Sequence, residues 1–531
     1  MRFYLLILLL LVLVTKALVP LFFPYRASGD QKQQIFWMYR FQDPELFTND
    51  LLTEFMSSGK LQPPGFTFVY RMTSDFVDPL LFSKILPIIL VMVSVFYMFL
   101  LGKSLGGEFA GFMAGLIFVC DVFIIGWEKH FQAGLSRGFA YPIFISFVYY
   151  FVNGKQTKAS AILVLQSLFY PPIFLNSALL WGVSCIRKSW VKELKRSSIF
   201  IAGFIVAGLI LVSSHKSSPT FLGPLVSKSK AKTMAEFGPD GRSDFFREHF
   251  YEYLFMGRAG LNLDKVSVYV VLLIPIGFAL GKRTFRVNRI IYDIMISSSI
   301  LFVIAHLVLF KLHLPSRYVL YTLPVAFILL LASNTEEFIQ EIKSRYRLDL
   351  EQKMPDPKRV LGALLLLVIV MLGYQIVYSR PGREKVELYK SISTLPKDAL
   401  IAGYPEDMDD IPLFSRRKVM MNMELALPYY TNYYAEIRSR TFDFFTAYYA
   451  SNSSQIRGFC KKYGIDYLVV NKDHFDWKFL NGKIYYSPFG EYAKSLVEKN
   501  KTFALDNVKD SKKVFKNAVY SVVKCDEVSS D

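Results

Sequence analysis

The chain has 531 residues, and 62 Lys+Arg against 44 Asp+Glu leave a net charge of +18. Hydrophobic residues make up 53% and charged residues only 20%, against roughly a quarter charged in an ordinary soluble domain; with a mean hydropathy of +0.30 this excludes a disordered chain, a coiled coil and a plain cytosolic enzyme. Most of the chain must face lipid.

A helix needs about 20 apolar residues to cross the hydrocarbon. Stretches of that kind lie near 3–23, 84–102, 107–127, 138–153, 198–214, 266–281, 289–310, 316–333 and 359–378. Residues 159–186 hold one apolar stretch broken at Tyr170-Pro171-Pro172. A Pro-Pro pair removes amide donors and crowds the preceding turn, which predicts two short helices meeting at a corner. The start of the chain, Arg2 before an apolar run, also reads as a signal peptide. No A-x-A site follows and apolar character resumes after Lys16, which favours an uncleaved first span.

Short cytoplasmic loops carry the Lys/Arg excess. Lys103, the pair Lys155 and Lys158, the run Arg187 to Arg196, the group Lys282 to Arg289 and the group Lys343 to Arg359 mark five connections. All five share one side if 159–186 is a two-helix hairpin, which gives about 11 spans with the amino terminus inside and the carboxyl terminus outside. The basic excess is then a topology signal, and no nucleic-acid partner follows from it.

The outer side gathers the loops 24–83, 128–137 and 215–265, the link Lys311 to Arg317, and everything after residue 379. In the first loop Ser28 or Asp30 can cap a helix start, and Ile35, Phe36, Trp37, Met38 and Tyr39 form a broad apolar surface suited to a helix in the headgroup layer. Asp30 lies just past the first span, where a desolvated carboxylate can act as a general base; a cap or a solvated loop acid is the competing reading. Asp43-Pro44 and Asn49-Asp50 are turn dipeptides. In the second loop Glu128 is a candidate second acid, able to hold a divalent cation through oxygen ligands or orient an acceptor hydroxyl, with an interfacial pair to Lys129 as the alternative. Arg137 opens the next span, where a guanidinium can take a phosphate in bidentate fashion or snorkel to the interface. Arg317 in Pro315-Ser-Arg-Tyr318 would add a second cation at headgroup level. His130 has no i,i+4 partner and is a weak metal candidate.

From residue 380 the charges nearly balance, 24 Lys/Arg against 20 Asp/Glu. Strands are predicted at 399–402, 419–423, 465–470, 483–487 and 514–524, with a helix over Ser454–Tyr463 closed by Gly464. This is a small α/β domain without a Gly-rich phosphate loop or nucleophile elbow. Glu406, Asp407, Asp409 and Asp410 read as a solvated acidic loop or a weak calcium ligand set. The aromatics from Tyr429 to Tyr449 read as core, with stacking on sugars as the alternative. Cys120, Cys185, Cys460 and Cys525 show no metal-ligand spacing and read as buried apolar thiols rather than a disulfide framework.

The whole plan resembles the GT-C class of membrane glycosyltransferases, in which many spans carry a long first outer loop with a catalytic acid. The resemblance rests on Gly29-Asp30, the run Trp37 to Asp50 with Arg40-Phe-Gln-Asp43-Pro44, Gly134-Leu-Ser-Arg137-Gly-Phe-Ala-Tyr-Pro142, and Pro315-Ser-Arg-Tyr318. It implies a multi-pass α-helical transmembrane domain over 1–379 and an extracytoplasmic α/β domain over 380–531, in a bacterial inner membrane. It further implies transfer of a sugar from a polyprenyl-phosphate donor to a glycan, lipid or protein acceptor. Asp30 would be the base of an inverting step and Glu128 would orient substrates or a Mg or Mn ion, while Arg137 and Arg317 would stabilise charge on the departing phosphate. Gln34, Asp43, Asp50 and Tyr318 would face substrate. No second acid stands beside Asp30, where Gln31 and Lys32 follow. A transporter of lipid-linked saccharides and a non-catalytic scaffold are the rival functions; ionisable residues within the spans would favour the former.

Overall fold

A computed structural model describes residues 18–123, 130–131, 133–187, 198–216, 219–261, 263–312, 314–346 and 381–528, together with isolated positions between 362 and 373. Most of the first and last expected spans, and Glu128, lie outside these residues.

The helical part follows the local chemistry of the chain. Helix Pro79–Asp121 runs for 43 residues and is interrupted at Gly106 and Gly107, the latter at φ 85°. At about 1.5 Å per residue it is roughly twice the length of one crossing, so the break divides it into two antiparallel helices. Only glycine adopts that φ without strain. A Cβ on Gly102 would stand 2.7 Å from that of Ala114, and one on Gly111 2.8 Å from the Phe99 carbonyl. Small residues therefore let the two halves pack backbone to backbone. The helices Gln156–Phe169 and Pro171–Arg187 meet at Tyr170, whose φ −153° and ψ 83° end the first helix. The Pro-Pro signal is thus realised as a corner. Helices Ala140–Val152, Ser198–Lys216, Leu263–Thr284, Arg289–Leu307 and Thr322–Tyr346 complete the bundle. Among the described residues, three segments are long and apolar enough to cross a membrane by length and composition: Pro79–Asp121, Arg289–Leu307 and Pro315–Arg345. Asp121 and Asp293 stand in these segments, Asp293 accepting from the Ser184 hydroxyl at 3.1 Å, so the helices carry more acid than their apolar character suggested.

The C-terminal region is a five-stranded mixed sheet in the order β2-β1-β3-β5-β4. Its strands are β1 Leu400–Gly403, β2 Lys418–Val419, β3 Tyr467–Asn471, β4 Lys513–Lys516 and β5 Tyr520–Lys524. β1 is parallel to both β2 and β3, and the β4–β5 hairpin adds antiparallel to β3. Helix Ser453–Tyr463 ends on Gly464 in the left-handed region, as its sequence predicts. Two strand expectations change: 514–524 is a hairpin rather than one strand, and 483–487 contributes a single bridge from Ser487 to Gly241 instead of a strand. Tyr433, Tyr434, Phe444, Phe445, Tyr448 and Tyr449 are buried in the core, where their rings pack on one another.

Cys460 and Cys525 form a disulfide that ties helix Ser453–Tyr463 to the end of β5. This overturns the expectation of free thiols for that pair, because the sheet brings together two positions 65 residues apart. Cys120 and Cys185 are free. The acidic run is not a solvated loop either: Asp407, Asp409 and Asp410 are buried. Each has a partner that neutralises or hydrogen-bonds it, as a buried carboxylate requires. Asp407 accepts from the Tyr520 hydroxyl at 3.0 Å and Asn471 at 3.2 Å, Asp409 from the Glu424 amide at 2.8 Å, and Asp410 from the Tyr389 hydroxyl at 2.8 Å.

Candidate functional site

Asp30 is the second residue of helix Gly29–Ile35. Ser28 caps that helix: its hydroxyl accepts from the Gln31 amide at 3.3 Å while the Gln31 side chain accepts from the Ser28 amide at 3.2 Å. The other end of the same Gln31 amide donates to the Ser83 hydroxyl. Gly134, at φ 56°, is pressed against the backbone of Ser83 so closely that a Cβ there would overlap it, and the Gly134 carbonyl accepts from the Tyr70 hydroxyl at 2.9 Å. One turn of helix Pro79–Asp121 therefore anchors both the start of the Asp30 helix and the loop that leads to Arg137. The consequence is an ion pair between Asp30 Oδ2 and Arg137 Nη1. The arginine is the more enclosed partner, with 17% of its side chain exposed against 40% for the aspartate.

The Arg317 guanidinium is within electrostatic reach of Asp30, Tyr170 and Tyr321, and hydrogen-bonds with Tyr321. Tyr321, Tyr141 and the His130 ring pack edge to face, with centroids 4.9 to 5.4 Å apart. The site thus has one carboxylate, two guanidinium groups and a floor of buried tyrosines. Such a set can accept a proton from a hydroxyl and can neutralise a phosphate.

The remaining sequence candidates do other work. Asp43 lies on the surface, paired with Lys397 of the C-terminal domain at 2.8 Å; this contact holds its carboxyl below the usual range. Asp50 caps helix Leu51–Ser57, accepting from the amide and hydroxyl of Thr53 at 2.9 and 2.7 Å. Burial pushes its carboxyl up, against those hydrogen bonds. Gln34 gives its backbone carbonyl to the Gln62 side chain at 2.9 Å. The Tyr318 hydroxyl donates to the Leu312 carbonyl at 2.9 Å. The apolar face expected in the headgroups is also used otherwise: Ile35, Phe36, Trp37, Met38 and Tyr39 are buried in protein. Their periodicity reports a covered face, and the cover is protein rather than lipid.

Residues that local sequence did not mark complete the surroundings. Lys32, two positions after Asp30, is bound to Asp410 at 2.7 Å. Gln33 donates to the Glu424 carbonyl at 2.7 Å. Arg416 binds Asp78 at 3.1 Å and lies over the Tyr39 ring at 4.1 Å. Phe55 stacks on Tyr433 at 3.7 Å. The C-terminal domain therefore grips the loop 24–83 along its length, and the helix that carries Asp30 is part of that interface. Among the described residues, which do not include Glu128, no group of three or more His, Cys, Asp or Glu side chains is placed to hold a metal ion, and the Asp30 carboxylate is engaged by Arg137.

No family model matches the sequence, and no curated protein does. Solved structures do. ArnT from Cupriavidus metallidurans, bound to undecaprenyl phosphate, is 12% identical and superposes with a TM-score of 0.52 over 99% of each chain. The archaeal oligosaccharyltransferase AglB from Archaeoglobus fulgidus, in complex with an inhibitory peptide and a dolichol-phosphate, is also 12% identical, with a TM-score of 0.46 over 93% of this chain and 72% of that one. The chain has the fold of GT-C glycosyltransferases. Its sheet-containing C-terminal region and long apolar helices are those of an ArnT-like architecture over the whole length.

Proposed function

We propose that the protein is a membrane glycosyltransferase that moves a sugar from a polyprenyl-phosphate donor to an acceptor hydroxyl on the outer face of the membrane. The observation that carries this reading is the Asp30–Arg137 ion pair with Arg317 within electrostatic reach of the same carboxylate: this supports a carboxylate acting as base beside two cations able to take a phosphate. In the proposed step the acceptor oxygen bonds to the anomeric carbon. The bond from that carbon to the phosphate oxygen breaks, its electron pair leaving with the polyprenyl phosphate, and the acceptor proton passes to Asp30. Arg137 and Arg317 neutralise the charge growing on the phosphate. A donor phosphate entering between them would take Arg137 from Asp30 and free the carboxylate to receive the proton. Glu128, in the second outer loop, would orient the acceptor. The neighbour's bound undecaprenyl phosphate supports a lipid phosphate of this type.

The accompanying topology has about 11 crossings, with the amino terminus cytoplasmic and the C-terminal domain extracytoplasmic. The Cys460–Cys525 disulfide supports the latter, since such bonds persist in oxidising compartments. A cysteine at the exposed position Ser454 should react with an impermeant maleimide added outside intact cells. For the chemistry, purified protein in nanodiscs should turn over radiolabelled polyprenyl-phosphate sugars, and Asp30→Asn should lower kcat by about 100-fold or more, the range of a lost general base. Equal turnover by the two proteins would remove Asp30 from its role.

A further inference from the structure

The structure holds a second acid–arginine pair against the Asp30 helix, and it comes from outside the transmembrane region. Glu424 lies between β2 and helix Thr431–Tyr448 of the C-terminal domain, and its carboxylate packs directly on Gly29, the residue before Asp30. A Cβ at position 29 would overlap Glu424 Oε1, so any other residue there would displace the carboxylate. Arg242, from the outer loop 219–261, reaches the same place. Its Nε donates to the Met423 carbonyl at 2.7 Å, and its Nη2 lies 3.3 Å from both the carbonyl and Oε2 of Glu424.

Every backbone polar group of Glu424 is fixed by a different part of the chain. The amide donates to Asp409 at 2.8 Å, and the carbonyl accepts from Gln33 at 2.7 Å as well as from Arg242. Arg242 is itself locked, because its neighbour Gly241 bridges to Ser487 and the Ser243 amide donates to the Glu236 carbonyl at 2.9 Å. Three segments thus fix the backbone of Glu424, and Arg242 holds its carboxylate. Support from the backbone outward is what a side chain held for binding requires. The Glu424 side chain keeps a quarter of its surface open, whereas that of Arg242 keeps 9%. Among the described residues Glu424 Oε1, which packs toward Gly29, and the Arg242 Nη1 hydrogens make no hydrogen bond and can take one from a ligand. A carboxylate beside a guanidinium matches neighbouring hydroxyls, one donating to the acid and the next accepting from the arginine.

We propose that Glu424 and Arg242 form the acceptor subsite and that the acceptor is a carbohydrate presenting adjacent hydroxyls. Resting on the glycosyl-transfer reading above, this assigns the two sides of the Asp30 helix. The lipid phosphate is held by Arg137 and Arg317 from the membrane bundle, and the acceptor is held by Glu424 and Arg242 from the C-terminal domain and its partner loop. The absence of a second acid next to Asp30 in sequence is then made good by an acid 394 positions further along the chain.

The test uses the full-length protein in nanodiscs, a panel of radiolabelled polyprenyl-phosphate monosaccharides, and total membranes of the source organism or short oligosaccharides as acceptors. Two products are counted: label transferred to acceptor, and free sugar released by water. Glu424→Gln keeps the shape and the backbone contacts, so folding is checked by an unchanged melting temperature. We expect the ratio of transferred to released sugar to fall about tenfold in Glu424→Gln, and likewise in Gly29→Ala, which displaces the carboxylate. A purely structural role would lower both products together and leave the ratio within twofold of wild type; that result overturns the assignment. Transfer only to lipid acceptors, with no oligosaccharide labelled, overturns the carbohydrate class. If wild-type protein neither transfers nor releases sugar from any donor, the glycosyl-transfer reading itself fails and this assignment falls with it.

Discussion

The contact between Lys32 and Asp410 offers a direct measurement of how firmly the C-terminal domain holds the Asp30 helix. The two charges lie 2.7 Å apart, with 21% of the lysine side chain and 6% of the aspartate side chain exposed. Asp410 also accepts from Tyr389 at 2.8 Å and has Lys385 at 3.9 Å. Removing one partner of a fully buried pair costs about 3–5 kcal/mol, because the other charge is left desolvated. Partial access of Lys32 to water and the remaining Lys385 and Tyr389 contacts reduce this, so Lys32→Met should cost about 2 kcal/mol. Asp410→Asn should cost about 1 kcal/mol, since the orphaned lysine is the more solvated partner and the amide oxygen still accepts from Tyr389. The double variant removes the pair altogether, and the coupling from the cycle should be about 1–2 kcal/mol. For a domain of about 150 residues 2 kcal/mol corresponds to roughly 4–8 °C in Tm, well within reach of differential scanning fluorimetry in detergent. A coupling below about 0.5 kcal/mol would show that the Asp30 helix is positioned without the C-terminal domain.

Other consequences are as direct. Of the four cysteines, only Cys120 and Cys185 should react with maleimide in denatured, unreduced protein, and reduction should raise the count to four. Replacing Cys460 and Cys525 by serine opens a 65-residue loop and should destabilise the domain by about 4 kcal/mol on the chain-entropy estimate; four reactive thiols before reduction would refute the bond. Burial, reinforced by the nearby Glu424 carboxylate, pushes the Asp409 carboxyl well above its ordinary value of 3.8. The native state therefore holds the proton more tightly than the unfolded chain, so the stability this group provides is fully present below about pH 4 and is lost as pH rises through its folded value. Asp409→Asn, which keeps an acceptor for the Glu424 amide, should raise Tm at pH 8 and make little difference at pH 4; an equal effect at both would contradict the burial argument. Arg416→Ala removes both the bond to Asp78 and the stack on Tyr39, and should cost about 1–2 kcal/mol by thermal denaturation.

What could be read in the sequence was what the backbone decides locally. Tyr170-Pro171-Pro172 ends a helix whatever lies around it, Gly464 closes one, and Ser28 with Gln31 opens another. Asp30, Arg137 and Arg317 could be named because they stand at the heads of segments, where chemistry gathers at a membrane surface, although nothing local states that the first two touch. What could not be read was the identity of a covering surface. Ile35 to Tyr39 announce an apolar face, and whether lipid or protein meets it depends on residues far along the chain. The run from Glu406 to Asp410 looks solvated because four acids in five positions repel one another in isolation; Glu406 is exposed, but the three aspartates are buried because Lys32, Tyr389, Asn471 and Tyr520 arrive from four other segments. The same distance in sequence hid Glu424 and Arg242, and the pairing of Cys460 with Cys525.

These omissions share one cause, and it bears on how the site is built. Apart from those inside the C-terminal domain, each missed contact belongs to the interface between that domain and either the loop 24–83 or the loop 219–261. Lys32, Gln33, Asp43 and Asp78 are all engaged by that domain, and the Leu222 carbonyl and Val226 amide are bound to Asn432 and Tyr429. A domain that merely hung from the last span would need none of these. Gly29, Lys32 and Gln33 of the Asp30 helix meet that domain, while Gln31 of the same helix and Gly134 of the loop leading to Arg137 are both anchored at Ser83 of the bundle, so a shift of the C-terminal domain by an ångström would pull the carboxylate against that anchor. Reaction rates respond steeply to displacements of that size. The proposed base is thus set by both domains and the proposed phosphate-binding cations by the bundle, so loosening the domain contact should reduce turnover before it unfolds the protein.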